Sequence, residues 1–208
     1  MGGLTKLVLN FAEAIGRVDA RQPVWTSSTT RKAYQPGIGP HPETATVDLV
    51  VRELAILDPT TYSSAQIGVP YPAMKRQKCD PAVTSSGEAW YIEIKMMRLM
   101  GDNGKTNDNI LTHLLSPYPE HRSALTDCRK LLSSGFDGRC AIVIYGYEYD
   151  DWPLRPVIEA FECLAQREAQ LSVMAAAQFV DLVHPIHRSG AVFGWEVKPL
   201  PAPAGVAA

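Results

Sequence analysis

The residues best suited to chemistry stand in one stretch, Ala89-Trp90-Tyr91-Ile92-Glu93-Ile94-Lys95-Met96-Met97. Read as a strand, it sends Trp90, Ile92, Ile94 and Met96 to one face and Tyr91, Glu93, Lys95 and Met97 to the other. An amphipathic strand with Glu93 and Lys95 in water accounts for this pattern. A strand inside a sheet covered by helices, however, is apolar on both faces. A carboxylate and an ammonium two residues apart on such a strand are costly unless something uses them. A divalent metal ion with a phosphate ester would use both. The carboxylate is a hard oxygen ligand for Mg²⁺, and the ammonium can orient or activate a water or meet phosphate charge.

Such a metal needs a second carboxylate. Asp80 ends the run Lys75-Arg76-Gln77-Lys78-Cys79-Asp80, on what reads as the preceding strand. Neighbouring strands joined across 84–88 bring Asp80 beside Glu93. Asp80-Pro81 is also an ordinary turn dipeptide, and that reading stays open for Asp80 taken alone.

Elements must hold these residues in place. Strands are expected at about 63–69, 73–83 and 89–97, with Pro, Gly and Ser between them. A helix is expected before them, at about 43–57, where Val47, Val50, Val51 and Leu54 keep helical spacing and Asp58-Pro59 ends it. After the polar loop 101–109 come a short helix near 110–115 and a longer one at about 119–134. Cys140 to Tyr147 is a nearly continuous apolar run, as in a strand buried on both faces. A first helix at 4–15, a loop at 21–42, a helix from Pro153 to about Leu171 and a strand near 191–197 that closes the sheet complete the reading. The expected fold is α/β, a mixed sheet flanked by helices, with an αβββαβ core and extra terminal helices. It forms a single domain over 1–198 with its core at about 43–147, and the Pro/Ala-rich tail 199–208 frays.

Asp80 followed by Glu93-Ile94-Lys95, in this element order, resembles the PD-(D/E)XK nuclease superfamily, the restriction-endonuclease-like fold. The resemblance covers about half the chain and rests on a short, degenerate motif, with Cys79 where the pattern has Pro. It implies hydrolysis of phosphodiester bonds with Mg²⁺, or Mn²⁺ in its place. One or two ions would be held by Asp80 and Glu93, with Lys95 positioning the attacking water or stabilising developing charge. It also implies an acidic residue on the first core helix. Glu43 is the preferred candidate, and Glu53 is the competitor, assigned to the polar side of that helix. The implied activity is a DNA endonuclease of restriction or defence type. DNA is favoured over RNA, and a homodimer suits cleavage of both strands. The alternative is a catalytically inactive nuclease-fold module that binds nucleic acid or a protein partner.

The 208 residues carry 20 Lys+Arg and 22 Asp+Glu, so coating nucleic acid by bulk charge is excluded while a local basic groove is not. The window 74–105 holds six basic and four acidic residues, against the negative balance of the whole. Its Lys75, Arg76, Lys78, Arg98 and Lys105, with Arg122 further on, are the candidate phosphate contacts, and solvated strand ends explain them equally well. Gln77, Asn103, Asn107 and Asn109 could reach bases or sugar, but loop amides mostly make turns. Tyr145, Tyr147, Tyr149 and Trp152 could stack on bases, although packing is the commoner use. His184 and His187 are close in sequence but have no Cys nearby, which argues against zinc. Four scattered cysteines, with no signal peptide, myristoylation motif or bilayer-length apolar run, lead us to expect a soluble cytoplasmic protein.

Overall fold

The computed structural model describes residues 2–108 and 110–201. Its helices are α1 (Gly3–Ala20), α2 (Glu43–Leu57), α3 (Pro59–Tyr62), α4 (Thr112–Leu115), α5 (Ala124–Leu132) and α6 (Arg155–Ala165), with a 3₁₀ turn at Pro119–His121. Its strands are β1 (Gln66–Pro70), β2 (Lys78–Ser85), β3 (Glu88–Met97), β4 (Arg139–Tyr147), β5 (Gln170–Leu171), β6 (Ala175–Phe179) and β7 (Gly190–Lys198). The fold is α/β, with one mixed sheet flanked by helices.

The sheet runs β1-β2-β3-β4-β7, and both β5 and β6 pair with the far side of β7. β1, β2 and β3 form an antiparallel meander. The β2–β3 turn is Ser86-Gly87, with both residues at positive φ (54° and 79°). A two-residue turn of that kind matches the twist of its strands and fixes the register Ser85↔Glu88. β3 and β4 are parallel, from Trp90↔Arg139 to Met97↔Gly146, and α5 lies in the crossover between them.

Apolar layers cover both faces of the sheet. On one side Leu7, Val8, Phe11 and Ile15 of α1 and Val47, Val50 and Leu54 of α2 cover Trp90, Ile92, Ile94, Val143 and Tyr145. On the other Cys128 and Leu131 of α5 and Ile158 and Phe161 of α6 cover Met97, Ile142, Ile144 and Trp195. β4 therefore alternates between two buried layers, as its unbroken apolar run predicts. Gly190 on β7 lets two backbones meet, since a Cβ there would fall 1.9 Å from the Gly146 carbonyl oxygen.

Several expectations need correction. The strand at 190–198 does not close the sheet, because β5 and β6 continue it. β6 was not anticipated: its Ala175-Ala176-Ala177 run has little strand propensity and is held by pairing with β7. The helix after Pro153 ends at Ala165 rather than near Leu171, where the chain joins the sheet. The helix at 119–134 begins with a separate 3₁₀ turn, and α1 runs on to Ala20. Of the tail expected to fray, 202–208 lies outside the described residues.

Candidate active site

The site sits where β2 parts from β3. Their ladder runs from Ser85↔Glu88 to Ala82↔Tyr91. Beyond it, two β3 amides donate to carboxylates: Ile94 N to Asp80 Oδ2 at 2.7 Å, and Met96 N to Glu43 Oε2 at 2.6 Å. Glu43 opens α2, where a carboxylate suits the helix dipole, and from there its side chain reaches over the edge of β3. The Asp80 and Glu43 carboxylates are thus fixed by backbone donors of the strand that carries Glu93 and Lys95.

Glu93 and Lys95 share a face of β3, as alternation predicts, and that face looks at α5. Neither is in water. Glu93 is 3% exposed, and its Oε1 accepts from the Tyr71 hydroxyl and faces Lys130 Nζ at 3.2 Å. Tyr71 in turn packs at a tilt against Phe136, with ring centroids 5.1 Å apart, and Phe136 stacks on Tyr91 at 3.8 Å. Lys95 Nζ lies 2.8 Å from Asp127 Oδ2 and 3.8 Å from Glu43 Oε1. Asp127 is fully buried in the first turns of α5, a helix capped by Ser123, whose Oγ accepts from Thr126 N. Its other oxygen, Oδ1, is 2.5 Å from Lys130 Nζ.

Four carboxylates (Glu43, Asp80, Glu93, Asp127) therefore face two ammonium groups (Lys95, Lys130). Fully ionised, the cluster lacks two positive charges. The local field shows this deficit. Burial, then Asp127 and Asp80, push Glu93 up to about 7. Burial also raises Asp80 and Glu43 above the usual carboxylate range, against the pull of the Ile94 amide on Asp80 and of Lys95 on Glu43. Burial opposes the Lys95 charge, but Asp127 and Glu43 override it, so its pKa lies above that of an ordinary lysine. Lys95 is thus a fixed cation here and not a base.

A hard divalent cation suits this donor set. All the acidic donors are oxygen, and the charge deficit equals one such ion. Asp80 Oδ1 and Glu93 Oε2 take no hydrogen bond from the described residues. Mg²⁺ keeps several waters and asks for only one or two carboxylates, and Asp80 and Glu93 are the residues that could supply them.

Beside the cluster lies a cleft of about 600 Å³ lined by Met74, Arg76, Gln77, Lys78, Pro119, Arg122, Thr126, Arg129, Lys130 and Ser133. Five of these side chains are basic and none is acidic. Arg129 is tied to Glu168, whereas Arg76, Lys78 and Arg122 are exposed and form no ion pair among the described residues. Arg76 and Arg122 both adopt positive φ (68° and 49°), a conformation that non-glycine residues seldom take.

The structure thus gathers Glu43, Asp80, Glu93 and Lys95 and places Arg76, Gln77, Lys78 and Arg122 in the adjoining cleft. Lys75 is exposed nearby but does not line the cleft. Arg98 does not join it: its guanidinium donates to Gly39 O at 2.6 Å and faces Asp102 at 3.8 Å. Lys105 stands on the exposed loop between the bridged residues Met100 and Thr106. Asn103 Oδ1 accepts from the Lys105 amide within that loop, Asn107 Nδ2 donates to the Arg98 carbonyl beside it, and Asn109 lies outside the described residues. Tyr145 and Tyr147 are fully buried and cannot stack on bases. Glu53 is not on a polar side: it is 1% exposed, paired with Arg21 and 3.7 Å from Arg17, and it joins α2 to α1.

The sequence reading did not single out Asp127, Lys130 or Tyr71. The available signal was a charged pair at i, i+3 on the same side of α5 as Ala124, Cys128 and Leu131, where an amphipathic helix carries apolar residues.

A second polar cluster lies elsewhere. Donor atoms of Asp102, His184 and His187 converge within 4.8 Å, both rings being fully buried. His184 Nδ1 accepts from the Ile186 and His187 amides (3.2 and 3.3 Å), so its proton resides on Nε2. His187 Nε2 faces Asp102 Oδ1 at 3.0 Å, and its Nδ1 lies 2.8 Å from the Tyr149 hydroxyl. Asp102, His187 and Tyr149 thus tie the surrounding loops together, while the buried Nε2 of His184 has no hydrogen-bond partner among the described residues.

Among the described residues, no helix is long and apolar enough to cross a membrane. No protein-family model, no curated protein and no solved structure matches this chain.

Proposed function

We propose that the protein is a divalent-cation-dependent nuclease that hydrolyses phosphodiester bonds, with DNA as its substrate. The observation that carries this reading is the convergence of Asp80, Glu93 and Lys95 at the β2–β3 opening, next to a basic cleft in which Arg76, Lys78 and Arg122 form no ion pair among the described residues. The likeness of Asp80 and Glu93-Ile94-Lys95 to the PD-(D/E)XK pattern points the same way.

In this reading Asp80 and Glu93 hold Mg²⁺, which when bound polarises the phosphate and lowers the pKa of a water. The chain's own residues do the rest. The Ile94 amide keeps the Asp80 carboxylate turned to the site, and Tyr71 does the same for Glu93. Lys95, held protonated by Asp127 and Glu43, presents positive charge where the phosphate gains negative charge. Arg76, Lys78 and Arg122 hold the neighbouring phosphates of the strand.

The test is incubation with plasmid, linear duplex, single-stranded DNA and RNA, with Mg²⁺ or with chelator, beside Mn²⁺ titration calorimetry. Native protein should cut in Mg²⁺ alone, and Asp80→Asn and Lys95→Gln should each cut at least about a hundredfold more slowly. Asp80→Asn should also lose the Mn²⁺ heat. A native chain that binds Mn²⁺ and duplex without cutting is the inactive nuclease-fold module, and one that binds neither overturns both readings.

A further inference from the structure

Lys130 belongs to two places at once. Its Nζ lies 2.5 Å from Asp127 Oδ1 and 3.2 Å from Glu93 Oε1, so it fills a cation's position beside a proposed metal ligand. It also lines the basic cleft with Arg76, Lys78 and Arg122, and its side chain is 28% exposed. Lys95 differs, being 13% exposed and turned to Asp127 and Glu43.

The partners of Lys130 are unequal. Asp127 is one residue-triplet away on the same helix and stays beside it in any state of the site. Glu93 is the residue that a divalent ion would claim, and an ammonium sharing its carboxylate would then face a like charge at close range. The four-carbon stem of a lysine lets its head swing while the helix stays put. The side free to receive it is the cleft, which has no carboxylate among its lining residues.

We propose that Lys130 is a movable ammonium. Without a divalent ion it neutralises Glu93, and when the ion binds it turns into the cleft and holds a phosphate of the nucleic-acid backbone. This rests on the nuclease reading above. It adds that loading the ion and gripping the substrate are coupled through one side chain of α5. The ion affinity of the free protein is lowered by Lys130, whereas the affinity for nucleic acid in the presence of the ion is raised by it.

The first measurement uses the native chain. Lysines are acylated with a short N-hydroxysuccinimide ester and quantified by peptide mass spectrometry, with chelator, with Mg²⁺, and with Ca²⁺ plus duplex DNA. Lys130 labelling should rise severalfold with Mg²⁺ alone and fall again with duplex, while Lys95 stays protected throughout. The second uses Lys130→Gln, with its thermal unfolding followed as a check on folding. This variant should bind Mn²⁺ about tenfold more tightly than the native chain in calorimetry. In Ca²⁺, its plot of log affinity for duplex against log salt should be shallower by about one unit. Lys130 labelling that ignores Mg²⁺ overturns the proposal even if the variant does not fold. So does a folded variant with native ion affinity or a native salt slope. If native protein binds neither Mn²⁺ nor duplex, the nuclease reading fails and this inference fails with it.

Discussion

Lys95 of β3 and Asp127 of α5 form a 2.8 Å ion pair that joins the strand bearing the proposed chemistry to the crossover helix above it. Asp127 is fully buried and also serves Lys130, so one carboxylate compensates two ammonium groups. Removing it should leave both without that compensation. Asp127→Ala is therefore expected to cost about 3 kcal/mol in urea unfolding carried out in chelator. A loss below about 1 kcal/mol would mean that the lysines find water and that the pair does not hold the helix.

Asp80 separates structural from chemical roles. Asp80→Asn keeps an oxygen to accept from the Ile94 amide, whereas Asp80→Ala orphans that buried donor. The Ala variant should be less stable than the Asn variant by about 1–2 kcal/mol, and both should lose Mn²⁺ binding alike. Equal stability of the two would show that the amide has another partner.

The raised Glu93 pKa has a consequence of defined sign. A carboxyl at about 7 in the fold and 4.5 in its ordinary state takes up a proton on folding between those values. Its contribution to stability is full below about pH 4.5 and is lost as pH rises through 7, a few kcal/mol at most. In chelator, native protein should therefore weaken over that interval relative to Glu93→Gln, which has nothing to titrate there. Parallel stability curves for the two would place the Glu93 ionisation elsewhere.

The two glutamates of α2 should part company. Glu53, buried between α1 and α2 with Arg21, is expected on conversion to Ala to cost about 2 kcal/mol and leave Mn²⁺ binding intact. Glu43→Gln keeps an acceptor for the Met96 amide, so it should barely change stability while weakening Mn²⁺ binding and cleavage. Calorimetry and urea unfolding on the same two variants check both halves.

Local patterns were enough to read α2 and β4, because Val47, Val50 and Leu54 keep helical spacing and Cys140 to Tyr147 is apolar throughout. The faces of β3 were equally legible, since alternation alone puts Glu93 with Lys95. What was not legible depends on contacts distant in sequence. Nothing near Asp127 shows that α5 will lay it over β3, and nothing near Glu53 shows that α1 will supply Arg21. The alanines of β6 become a strand only because β7 offers an open edge. Lys105 and Arg98, near the motif in sequence, were carried off by the loop after β3, one to an exposed turn and the other to Gly39 and Asp102.

The capping of two β3 amides by side chains has a spectroscopic consequence. In an ordinary ladder such protons answer to a neighbouring strand and report only on unfolding. At Ile94 and Met96 they answer to the carboxylates of Asp80 and Glu43. Their chemical shifts should therefore move when either oxygen pair is drawn towards an ion. Two backbone resonances then become separate gauges of how each acid responds, legible in a chain that has not yet turned over a single bond.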